Sequence, residues 1–193
     1  MISLDTARAE IARTSAGSDY TDEFERLFFT ADEAALRREA GAEHVTASCL
    51  IVDPVTETVL LNHHRKAGLW GQFGGHLEAE DVSLRAAAHR EAMEESGLRE
   101  LRWFSPAPID LHVHDLSTSF GACRRHFDVV YAAVADVGQT PVASEESLAV
   151  GWFQLTQLPN SLMPDLTLRL PELYRTSVDV WGLTDPDGSA PPR

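Results

Sequence analysis

The sequence predicts one mixed α/β or α+β domain with a helical segment in front of it, and three observations carry that reading. The β-rich run 45–52 reaches a turn opener, Asp53-Pro54, and a second short run, 58–61, follows it as the return arm of a hairpin. One long helical segment, 82–97, comes next, with Asp81 as its expected cap, an Ala86-Ala87-Ala88 run inside it and Gly97 at its end. Strand-like runs at 101–104, 127–133 and 150–153 then precede a helix over 166–174 that Pro164 starts. The order strand, helix, strands, helix sets the class. With 193 residues and 44% hydrophobic content, the chain can fill one core but not two.

Ahead of the hairpin, residues 3–40 are rich in Ala, Glu and Arg, with a turn-like stretch at 14–18 between two helical pieces. The second piece carries Phe24, Leu27 and Phe28 at helical spacing, and with Phe29 these side chains need either this chain's core or a partner's surface to cover them. The expected organisation is a helical addition over 1–42 packed on the main domain, a catalytic domain over 43–178 and a flexible tail over 179–193. Pro186, Gly188, Pro191 and Pro192 mark the fraying end. The apolar residues of the addition also suggest a homodimer contact.

A net charge of -14 argues against duplex nucleic acid as a partner, because a phosphate-binding surface needs clustered Lys and Arg. It does not argue against a phosphorylated small molecule, since bound divalent cations invert the local field. Residues 1–10 lack the pattern of a signal peptide and no run of apolar residues is long enough to span a bilayer, so the expectation is a cytoplasmic protein with no membrane partner. The two cysteines, Cys49 and Cys123, are too few for a disulfide framework and read as small buried apolar residues.

The most informative local feature is the run Arg90-Glu91-Ala92-Met93-Glu94-Glu95-Ser96-Gly97-Leu98. On a helix, Glu94 and Glu95 lie about 60° and about 40° to either side of Glu91, so three carboxylates share one face. A solvated acidic face is one reading. The other follows from Leu84, Ala87 and Ala88, which extend the same face into apolar territory: the carboxylates then emerge where a packed face opens, and their hard oxygens suit Mg²⁺ or Mn²⁺ rather than zinc. Upstream, Gly74-Gly75 allows a close backbone approach of a ligand.

Together these residues resemble the Nudix hydrolase family, of the MutT-like kind, whose signature is G-x5-E-x7-R-E-U-x-E-E-x-G-U. Arg90-Glu91-Ala92, Glu94-Glu95 and Gly97-Leu98 match its second half, and Gly75 begins its first. Asp81 stands where the signature has Glu, with Glu78 and Glu80 as alternatives for that role, and one additional residue separates Asp81 from Arg90. The resemblance implies an α/β/α sandwich round a mixed β-sheet. It implies that the Gly75 carbonyl and the carboxylates of Glu91, Glu94 and Glu95 ligate Mg²⁺ or Mn²⁺, while Arg90, fixed by Asp81, holds the geometry. Glu95 is the first candidate for the base that activates water, and Glu146, on a loop before the 150–153 strand, is its rival. The implied activity is divalent-metal-dependent cleavage of a diphosphate linkage in a nucleoside diphosphate derivative, a small-molecule substrate. The alternatives are a nucleotide-binding protein without turnover, suggested by the altered first half of the signature, and isomerisation of an isoprenoid diphosphate.

Further residues are open to several readings. His112 and His114 share one face of an extended segment, as do His126 and Asp128, and the histidines are read as surface or hydrogen-bonded groups, as substrate contacts or as a second metal site. Arg124, Arg125 and His126 are candidate phosphate or ribose contacts, and Phe73, like Trp70, is a candidate stacking surface for a base.

Overall fold

A computed structural model describes residues 1–14, 20–116 and 121–185. Two helices open the chain, α1 (Leu4–Ile11) and α2 (Thr21–Ala31), and two short 3₁₀ turns lead from them to strand β1 (Glu43–Asp53). Strands β2 (Thr58–His64), β3 (Leu69–Gly71) and β4 (Phe73–His76) follow, then helix α3 (Leu84–Ser96). Strands β5 (Trp103–Phe104), β6 (Asp110–Asp115), β7 (Arg125–Val134) and β8 (Ser147–Gln154) complete the sheet, and α4 (Pro164–Thr184) closes the described chain.

The strands form one eight-stranded mixed sheet in which β1 pairs parallel with β7 and antiparallel with β2 and β4. Strand β1 is buried along nearly its whole length, as a central strand covered on both faces must be. Its alternation sorts the core into two halves. Val45, Ala47, Cys49 and Ile51 face α1, α2 and α3, whereas Leu50 and Val52 face α4. The result is the α/β/α sandwich expected, with the 53–58 turn tied down by Asp53, whose carboxylate accepts the amides of Val55 (2.9 Å) and Val137 (2.9 Å).

Helix α3 begins two residues later than its expected start. Ser83, not Asp81, caps it, accepting the Ala86 amide at 2.9 Å. Asp81 cannot serve because its carboxylate is already engaged by the Glu78 amide and Arg90. Two further amides of the first turn, those of Leu84 and Arg85, donate at 3.0 and 2.9 Å to the carboxylate of Glu10 on α1, which also accepts the Tyr131 hydroxyl at 2.7 Å. A carboxylate at this end also suits the helix dipole. At the other end Gly97 adopts φ 61°, and a Cβ there would lie 2.5 Å from the Val142 carbonyl, so only glycine fits.

The N-terminal helices complete this chain's own core. Phe24, Leu27 and Phe28 are buried in it, with Phe24 edge-on to Phe127 at 5.4 Å, while Phe29 points outward at 87% exposure. Of the apolar residues that suggested a dimer contact, only Phe29 is therefore left for one. The C-terminal helix extends beyond the expected 166–174 to Thr184: Leu166, Leu170, Leu173, Ser177 and Trp181 form one buried stripe, and Trp181 is 1% exposed. The tail expected from 179 thus starts too early, since 179–184 belong to this helix; 186–193 lie outside the described residues, as does most of the expected 14–18 turn.

Candidate active site

Strand β4 lies against α3, and the contact between them brings the signature residues together. Gly75 sits directly on Glu91, where a Cβ would fall 2.6 Å from Glu91 Oε1, so any larger residue would displace that carboxylate. Its neighbour Gly74 donates its amide to Glu95 Oε2 at 3.0 Å. Glu95 is buried at 5% exposure, Glu91 is half-buried and Glu94 is exposed, a gradient running from the sheet toward solvent.

Arg90 organises this cluster. Its Nε and Nη2 donate to Asp81 (3.2 and 3.0 Å), its Nη1 to Glu91 (2.9 Å) and Glu94 (3.2 Å), and Nη2 also to the His76 carbonyl (3.1 Å). The guanidinium is thereby fixed in a ring of acceptors with every arm in use. The residue added before Arg90 is absorbed ahead of Leu84, and Asp81 still reaches the guanidinium.

Burial pushes the carboxyls of Glu91 and Glu95 up to about 7 each. Arg90 tempers this at Glu91 and the Gly74 amide tempers it at Glu95, but neighbouring acids work against both. Glu146 is among those acids in each case, which places the exposed loop before β8 within electrostatic reach of the cluster. The loop is held by Arg65, whose amide donates to the Glu146 carbonyl (2.9 Å) and whose Nε donates to that of Glu145 (2.9 Å). Below the Gly74-Gly75 segment, Asp128 accepts Thr46 (3.0 Å), Ser48 (2.6 Å) and Gln72 (3.1 Å), a buried polar support for β4.

The candidate substrate contacts are placed differently. Phe73 is fully buried in the core, so it has no face to offer a base. Arg124 folds back on its own turn, donating to the Gly121 and Cys123 carbonyls, and Arg125 is spent on Asp115 (2.8 Å), with Glu23 at 3.8 Å. His126 joins His44, His76 and Cys123 rather than the carboxylates. Of the aromatic candidates only Trp70 remains partly open; it stacks on His63 with centroids 4.9 Å apart. His112 Nε2 lies 3.2 Å from Asp165 Oδ2, linking β6 to α4.

A glycine-bearing strand laid on a helix with three carboxylates and one clamped arginine, beneath a mixed sheet sandwiched by helices, defines the Nudix class. The NUDIX domain family model matches residues 42–176, and the chain belongs to the Nudix hydrolase, MutT-like, family. A MutT Nudix hydrolase from Burkholderia pseudomallei is 27% identical, with 67% of this chain and 96% of that one aligned at a TM-score of 0.54. A Nudix-family hydrolase from Clostridium perfringens is 25% identical, covering 68% and 96% of the two chains at a TM-score of 0.54. The bifunctional NMN adenylyltransferase/ADP ribose pyrophosphatase of Francisella tularensis, complexed with AMP and a manganese ion, shares the fold at 20% identity, covering 80% and 47% at a TM-score of 0.51. No curated protein matches the sequence. Family membership supports, in general terms, hydrolysis of diphosphate-containing substrates. Among the described residues no helix is long and apolar enough to cross a membrane.

Proposed function

We propose that the protein is a Mg²⁺- or Mn²⁺-dependent pyrophosphohydrolase that cleaves the diphosphate linkage of a nucleoside diphosphate derivative in the cytoplasm. The observation that carries this reading is the pairing of Glu91 and Glu95: two sheltered carboxylates, both raised toward neutrality, meet at the glycines of β4, with Arg90 the one cation beside them among the described residues. A divalent ion relieves that crowding, and an all-oxygen donor set of Glu91, Glu94, Glu95 and the Gly75 carbonyl suits a hard cation. Bound there, the ion neutralises the phosphate oxygens and makes a water more acidic.

The chain's own residues divide the remaining work. Arg90 holds Glu91, which lies against Gly75, also engages Glu94, and has no arm free for substrate. Glu95, held by the Gly74 amide, takes the proton of the attacking water. Glu146 is the rival base; it is exposed on the loop before β8, and its charge already acts on both buried acids. The alternative of binding without turnover draws its motivation from the altered spacing before Arg90, and the intact Asp81–Arg90 pair weakens it. The test is a screen of nucleotide sugars, dinucleotides and nucleoside triphosphates with Mg²⁺ or Mn²⁺, with products identified by mass. Addition of water that a chelator abolishes supports the proposal. Tight binding without turnover, or isomerisation, overturns it.

A further inference from the structure

Three imidazoles and a thiol converge at the end of the sheet beside the carboxylate site. His44 lies at the start of β1, His76 at the end of β4, His126 at the start of β7, and Cys123 in the turn before it. The parallel register pairs His44 directly with His126, and the antiparallel register sets His76 opposite Thr46, two residues along β1 from His44 and so on the same face. The three rings are about equally spaced, with centroids 5.0, 5.0 and 5.1 Å apart. Cys123 Sγ stands 3.9 Å from His76 Nε2. One donor atom from each of the four residues lies within 4.8 Å of all the others.

We propose that His44, His76, His126 and Cys123 form a structural zinc site, separate from the Mg²⁺ or Mn²⁺ carboxylates. The donor set decides the metal: nitrogen and sulfur suit a borderline-soft ion and are poor ligands for Mg²⁺. Four protein donors complete a tetrahedron and leave no position for substrate, which marks the site as structural. A zinc ion about 2.0–2.3 Å from each donor sets the donors roughly 3.3–3.7 Å apart, so small side-chain rotations close the cluster from its present spacing.

The hydrogen bonding around the rings favours ligation. The His44 ring is 0% exposed, and its Nδ1 donates to the Gly41 carbonyl at 3.3 Å, which leaves Nε2 as the lone-pair nitrogen turned into the cluster. That is the arrangement by which a backbone carbonyl fixes the tautomer and ring angle of a metal-bound histidine. Nε2 of His44 and Nε2 of His126 are both inaccessible and have no hydrogen-bond partner among the described residues. A buried polar atom without a partner calls for one, and an ion at the centre serves both nitrogens at once. The ligands come from three strands and a turn, so the ion would fasten the starts of β1 and β7 to the end of β4. It would also steady the catalytic face, because His76 follows Gly75 and its carbonyl accepts Arg90.

The experiment uses the full chain, stripped of metal and then given Zn²⁺ or Co²⁺ in excess Mg²⁺, which occupies the carboxylates. We expect one zinc per chain to survive gel filtration and to raise the unfolding temperature. The Co²⁺ form should show tetrahedral visible bands and a near-ultraviolet thiolate-to-cobalt band. Cys123→Ser should abolish the thiolate band, and His126→Ala should abolish stoichiometric retention; Glu95→Gln should change neither. If His126→Ala does not fold, the nearly isosteric Cys123→Ser variant decides by its spectrum. Wild-type protein that retains no zinc, or a cobalt spectrum unchanged by Cys123→Ser, would overturn the proposal.

Discussion

Asp81 receives Nε and Nη2 of Arg90 at 3.2 and 3.0 Å, and through that pair a residue outside helix α3 fixes the direction of two carboxylates on it. Removing Asp81 frees the guanidinium to rotate and with it Glu91 and Glu94. Asp81→Ala should therefore weaken metal affinity or turnover by about 10- to 100-fold, the usual effect of losing a group that orients a ligand. Asp81→Glu, which keeps the charge, should recover part of the loss. Metal titration by calorimetry alongside steady-state kinetics would separate this positioning role from a simple loss of stability.

Glu10 supplies two of the acceptors that begin α3, from a helix outside the family-matched region. Glu10→Ala leaves the amides of Leu84 and Arg85 and the Tyr131 hydroxyl without their acceptor. We expect a loss of about 1–2 kcal/mol, the scale of a missing helix cap. Glu10→Gln keeps one oxygen acceptor and should lose less. Urea unfolding of the three proteins would measure the difference.

Phe24 is 0% exposed against Phe127, so Phe24→Ala should cost about 3–5 kcal/mol. Deleting residues 1–42 should likewise destabilise the monomeric fold before it alters any dimer. Denaturant unfolding together with light scattering would check this; an unchanged midpoint with dissociation of a dimer would assign the segment to an interface instead.

Burial raises Glu91 and Glu95 from 4.5 to about 7 in the metal-free protein. Because the folded values stand above the unfolded ones, protonation favours the folded chain: the contribution is full below about pH 4.5 and is lost as pH rises through about 7. The metal-free protein should lose stability across that interval. Mg²⁺ or Mn²⁺ affinity should increase over the same range, with release of protons on binding. Melting curves with and without metal from pH 5 to about pH 8 would show the two trends diverging.

The helix carboxylates were legible because their spacing is local: one helical turn decides that Glu91, Glu94 and Glu95 share a face. The pairing of Arg90 with Asp81, which lies outside the helix, came from the family resemblance rather than from local spacing, and the cap was not legible, since Ser83 could be chosen over Asp81 only once Asp81 was known to be occupied. The histidine and cysteine cluster was not. His44 meets His126 through a parallel pairing between β1 and β7, and no short-range pattern announces that register. Phe73 was misjudged because one aromatic beside two glycines looks the same whether it faces the core or a ligand. Arg124 and Arg125 stood out in a chain with few basic residues, but their partners Gly121, Asp115 and Glu23 come from the fold.

The two candidate bases separate at saturating metal. Glu146→Gln should leave metal affinity intact; if Glu146 is the base, that variant also lowers kcat and loses the ascending limb of the pH–rate profile. Full kcat and an unaltered profile would assign the proton transfer to Glu95.

The most direct test of the account is turnover of the diphosphate panel by wild type and Glu95→Gln at saturating Mn²⁺, with metal binding measured on the same samples. Wild type should show chelator-sensitive hydrolysis and the variant a fall of ~10²-fold or more, the scale of a lost acid–base group. A Glu95→Gln enzyme with wild-type kcat and wild-type metal affinity would contradict it.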